Sequence, residues 1–132
     1  MEKWEGRVIA GIVTFAREAV LRLRIRDASG QLQETRAVVD TGFDGWLALP
    51  GNMIAALGLP LRRSTYTTLA DGIRIRTNVY QAAIEWDGQS VTTPVDELDG
   101  GPLVGMSLMY GYKLILPILD GAKFTLRRLG HP

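Results

Sequence analysis

The sequence contains no cysteine. Disulfides, thiolate zinc sites and cysteine nucleophiles are excluded together, and the chain suits a reducing compartment. It has a single histidine, His131, next to the last residue. That leaves no Ser-His-Asp arrangement and no histidine-based metal site. Any chemistry must come from carboxylates, hydroxyls, lysine or tyrosine. Charge of one sign is also missing: 15 basic and 14 acidic residues give a formal net charge of +1. There is no electrostatic case for nucleic acid or an anionic membrane. Long apolar runs are absent. Val8 to Phe15 is short, holds Gly11, and is followed by Arg17 and Glu18, which makes a poor signal peptide and no membrane span. A soluble, cytoplasmic protein is expected.

What is present is enough for one core. The chain has 132 residues, 46% of them hydrophobic, consistent with one globular domain over 1–132. Trp4 to Phe15 reads as a first strand. Val20 to Arg26 alternates apolar and basic residues with the period of a half-buried strand, its three arginines forming the wet face of an antiparallel sheet. Asp27 to Gly30 is a turn, and Gln31 to Val39 returns as the partner strand. Leu49 to Gly58 has a short helix pattern, with Pro50 in the first turn and Gly58 at the end. Leu61 to Leu69 and Ile73 to Tyr80 flank Ala70-Asp71-Gly72 as a hairpin. Gln81 to Trp86 and Gln89 to Val95 make another, about Asp87-Gly88. Asp96 to Pro102 reads as a solvated acidic loop, without the spacing of a calcium loop. One helical turn is expected at Ser107 to Tyr110. Tyr112 to Leu119 and Ala122 to Leu129 form a last hairpin. The fold class is all-β, with one or two short helices.

The chain is organised around Val38-Val39-Asp40-Thr41-Gly42. An apolar run ends in an acid, a hydroxyl and a glycine. Asp-Thr-Gly is ordinary turn chemistry after a strand, but an acid at the end of a buried run needs its charge shared or paired. Leu103-Val104-Gly105-Met106-Ser107-Leu108 repeats the apolar–apolar–Gly form without the acid. These two stretches, with the glycine hairpin Leu69-Ala70-Asp71-Gly72 between them, resemble the retropepsin-like aspartic proteases in their small single-domain microbial form. The resemblance runs from about Arg36 to Leu116, with the three features in order. Two positions differ from the viral members. Phe43 stands where they carry a small residue, and Met106 stands where they carry an arginine.

The resemblance implies a half-barrel that closes as a homodimer, a peptide or protein substrate, and no cofactor or metal. Aspartic-protease chemistry needs two carboxylates sharing one proton. The chain offers one Asp-Thr-Gly, so the second acid would come from a second copy across a two-fold axis. Asp40, Thr41 and Gly42 are the expected catalytic residues, with Thr41 bracing the loops and Gly42 admitting the substrate backbone. Phe43, Leu103, Val104 and Gly105 are expected at the substrate. So is the flap Leu69, Ala70, Asp71, Gly72 and Ile73. A non-catalytic peptide-binding or dimerisation module is the alternative. A glycosidase-type carboxylate pair within one chain is a third reading, for which Asp44 lies too near Asp40 in sequence.

Overall fold

The computed structural model describes residues 4–130, so His131 lies outside it. Among the described residues ten strands form one sheet, with one helix. The strands are β1 (Trp4–Val13), β2 (Ala19–Arg26), β3 (Leu32–Val39), β4 (Leu47–Leu49), β5 (Leu61–Thr68), β6 (Arg74–Trp86), β7 (Gln89–Glu97), β8 (Leu103–Val104), β9 (Tyr112–Ile115) and β10 (Lys123–Leu129). The helix α1 spans Gly51–Leu57.

Alternation sets the core. In β2, Leu21, Leu23 and Ile25 are buried while Arg22, Arg24 and Arg26 face solvent, the period of two that a one-sided sheet requires. The arginines are partly paired: Arg24 approaches Glu34 at 3.7 Å and Glu85 at 3.5 Å. The β2–β3 turn is fixed by Asp27. Its carboxylate accepts from the Ser29 and Gln31 N–H groups, the Ser29 hydroxyl and the Gln33 amide. These bonds favour the ionised form and hold its pKa down at about 2. Helix α1 begins after Pro50, buries Ile54 and Leu57, and stops at Gly58, whose φ of 68° is the left-handed C-cap conformation.

The strand order is β5-β6-β7-β4-β8-β3-β2-β1-β10-β9, with β6 also pairing β2 so that the sheet folds back on itself. Its centre is unusual. β3 and β4 are consecutive in the chain but are not neighbours; β8 lies between them, parallel to β3 and antiparallel to β4. The loop from Asp40 to Trp46 therefore arches over the end of β8. Leu47, Leu49, Val95 and Val104 are fully buried at this crossing, and Phe124 and Leu126 of β10 are fully buried in the same core.

Three local expectations change. Ile73–Tyr80 and Gln81–Trp86 are one strand, since nothing between Tyr80 and Gln81 breaks it. Ser107–Tyr110 forms turns rather than a helix, with the Tyr110 N–H donating to Ser107 and left-handed Gly111 following. Asp96 and Glu97 belong to β7 rather than to a loop, because β7 continues beside β4.

Candidate active site

Asp40 stands at the end of β3, half-buried. Its N–H donates to the Val104 carbonyl at 2.9 Å, continuing the register that pairs Val38 with Leu103 and Val39 with Val104. The two apolar–apolar segments seen in the sequence are thus parallel neighbours. The Asp40 loop is tight. The Gly42 N–H donates to Asp40 Oδ1 at 2.9 Å and the Phe43 N–H to the Asp40 carbonyl at 3.2 Å, an Asx turn built on a β-turn.

The second segment then clamps this loop. The Gly105 N–H donates to Trp46 O, the Met106 N–H to Phe43 O and the Ser107 N–H to Gly45 O, at 2.8–3.0 Å. The Ser107 hydroxyl donates to Asp44 O at 2.6 Å. A β-carbon on Gly105 would overlap the Gly45 carbonyl oxygen and the Phe43 ring. No side chain fits there, so an acid cannot occupy that point of the second segment. Gly42 is different: a β-carbon there would meet only Asp40 Oδ1, at 3.2 Å, and would otherwise point into open space.

The expected substrate-side residues fall into two groups. Leu103 is half-buried, and Val104 and Gly105 are buried; Val104 reaches the site through its carbonyl. Leu69, Ala70, Asp71, Gly72 and Ile73 are all exposed at the tip of the β5–β6 hairpin. The tip is closed by Leu69 N–H to Ile73 O at 2.8 Å and by Ile73 N–H to Asp71 Oδ1 at 3.0 Å, with Gly72 at a φ of 86°. The hairpin is a ribbon with nearly every residue of β5 exposed. It is stiffened by cross-strand bonds such as Thr65–Thr77 at 2.8 Å, and by the Arg74 guanidinium 4.6 Å above the Tyr66 ring.

A residue not singled out in the sequence joins the site. Asp96 is half-buried, and its Oδ2 would stand 3.0 Å from a β-carbon on Gly45. Burial raises its pKa; Arg63 partly offsets this, and the nearby Asp44 charge adds to it. A cavity of about 500 Å³ opens here, walled by Phe43, Arg63, Val79, Asp96, Glu97 and Leu98 among others. Asp96 lies between Val79 and Ala48, on the face of β7 opposite buried Val95, and no local pattern signals the contact with Ala48. A second cavity, about 380 Å³ and mostly apolar, lies between Thr41, Met106, Met109 and Leu126. Among the described residues no cluster of three metal-ligating side chains occurs.

No protein-family model matches the chain, and no curated protein sequence does. Its fold is matched among solved structures. A retropepsin-like aspartic protease from Rickettsia conorii superposes with a TM-score of 0.56 at 19% identity, covering 98% of each chain. EIAV protease complexed with the inhibitor HBY-793 superposes with a TM-score of 0.53 at 19% identity, over 77% of this chain and 96% of that one. The chain has the all-β retropepsin-like fold.

Proposed function

We propose that the protein is an aspartic endopeptidase, active as a homodimer and built from the whole chain, 1–132, as one domain. The observation that carries this reading is the loop around Asp40. It presents one carboxylate on a clamped turn, and the matching point of the second segment, Gly105, has no room for another. A two-fold axis beside the loop would set Asp40 against its own copy. Exposed Met106 and Tyr110, flanking the apolar cavity at Thr41, suit a face that a second copy covers. The cysteine-free composition suits a cytoplasmic setting.

In this mechanism the two acids share one proton. The ionised member takes a proton from water as the water oxygen attacks the peptide carbonyl carbon. The protonated member donates to the carbonyl oxygen. As the tetrahedral intermediate collapses, the acid that took the water proton gives it to the leaving nitrogen, the C–N bond breaks, and a hydroxyl proton of the intermediate returns to the other carboxylate. Thr41 braces the paired loops, and Gly42 admits the peptide backbone. The Leu69–Ile73 hairpin tip closes over the substrate, with Phe43 and the Leu103–Gly105 segment beneath. Activity is expected at mildly acidic pH and is expected to survive chelators and thiol reagents.

The test pairs sedimentation equilibrium with digestion of a peptide library by the native protein and Asp40→Asn. A dimer whose cleavage disappears in the variant supports the reading. A dimer that cuts nothing would leave a peptide-binding module. A monomer that still cleaves would place the site elsewhere.

A further inference from the structure

We propose that the cavity between Phe43, Asp96 and the base of the β5–β6 hairpin takes a cationic side chain, lysine or arginine, of a bound peptide, and that Asp96 sets this preference. This rests on the reading of the Asp40 loop and hairpin as a peptide site.

The charge around the cavity is unbalanced. Asp96 and Glu97 line it, and Asp44 lies close enough to act on Asp96. The facing cation is Arg63, and no ion pair within 4.0 Å joins it to Asp96 among the described residues. Glu97 already accepts from the Tyr80 hydroxyl at 3.2 Å. Among the described residues no hydrogen bond to Asp96 occurs, although the residue is half-buried. A carboxylate desolvated beside another acid, without a donor, is unfavourable by itself and favourable once a cation arrives.

The walls match the rest of such a side chain. Phe43, Val79 and Leu98 offer apolar surface for a methylene stem, and the Phe43 ring offers a face to a cation. Position fits as well. Phe43 is three residues beyond Asp40, and the base of the hairpin lines the cavity. A peptide passing Asp40 would place a side chain here within a few residues of the bond at the acid.

The experiment uses full-length Asp40→Asn protein, so that its outcome does not depend on cleavage. Backbone amide NMR shifts are followed during titration with Nα-acetyl-arginine methylamide and, separately, with its neutral counterpart Nα-acetyl-norleucine methylamide. The expected result is saturable shifts at Phe43, Val79 and Asp96 with the arginine probe, at least about tenfold weaker with norleucine. Adding Asp96→Asn should remove that difference, and Arg63→Gln should enlarge it. Equal responses to the two probes, no response, or a difference that survives Asp96→Asn would overturn the proposal. Library digestion by the native protein separates the two readings. Absence of cleavage counts against the endopeptidase, whereas cleavage without a basic preference near the cut bond counts against this inference alone.

Discussion

The hydroxyl of Ser107 donates a 2.6 Å hydrogen bond to the main-chain carbonyl of Asp44, 63 residues earlier in the chain. With three main-chain bonds from Gly105, Met106 and Ser107, it makes the second segment the support of the loop carrying Asp40. Ser107→Ala removes the bond and leaves the Asp44 carbonyl without this partner. A loss of about 1 kcal/mol is expected, lowering Tm by about 3–6 °C. Melts must be compared at one protein concentration, because a dimer's Tm depends on it. Peptide cleavage should fall further than the lost stability explains, since a loosened loop misplaces the acid. Unchanged turnover would mean the three main-chain bonds suffice.

Gly105 is a stricter position. The atoms a β-carbon would meet include the Gly45 carbonyl, which is backbone and cannot rotate away. Gly105→Ala should therefore destabilise the fold by about 3 kcal/mol or more. Gly105→Asp should not restore a second acid within one chain. It adds an unpaired carboxylate to a buried crossing and should give unfolded or insoluble protein. A folded, monomeric, active Gly105→Asp protein would contradict both the geometry and the need for a second copy.

Much of this arrangement is legible along the chain because it is local. The alternation of Val20–Arg26 reports its buried face directly, and Pro50 and Gly58 bracket α1 through backbone preferences that need no partner. The likeness of the two apolar–apolar–Gly segments is also legible, and it proves to be spatial adjacency: Val39 pairs with Val104. The missing features are non-local. Asp96 reads as loop because its neighbours are acids and glycines, yet a parallel contact with Ala48 makes it strand. The clamp by Ser107 joins two stretches of unremarkable turn composition, so no periodicity marks it. Ser107–Tyr110 looks helical, but its amides are spent on the Asp40 loop and on short turns.

Asp96 also has a consequence for stability. Its folded-state pKa is raised, first by burial, so the native protein binds its proton more tightly than the unfolded chain does. Stability then falls as pH rises from the unfolded value of Asp towards and through the raised one. Above that window the ionised, donor-less carboxylate opposes folding fully. Asp96→Asn should raise the urea midpoint at pH 7, and the gain should shrink as pH drops below the window. Urea titrations of both proteins across pH 3–7 test this. A variant less stable than the native protein at neutral pH would mean that Asp96 is held by a favourable partner instead.

Half a site per chain has a measurable effect in a mixture of chains. If the acids at one site come from two copies, an Asp40→Asn chain is a poison as well as an inactive protein. Native and variant chains unfolded together and refolded at equal amounts should pair at random, leaving about one quarter of the dimers with both acids. Activity per native chain should then fall to about half of the native refolded control, because half of the native chains sit opposite an asparagine. Chains that act singly would keep full activity per native chain in the same mixture. Dilution gives an independent check. A shared dyad loses activity per chain as the dimer dissociates, and adding Asp40→Asn protein to the dilute sample should not restore it. Adding native protein should. An activity per native chain that is indifferent to both mixing and dilution would place the whole active site within one chain.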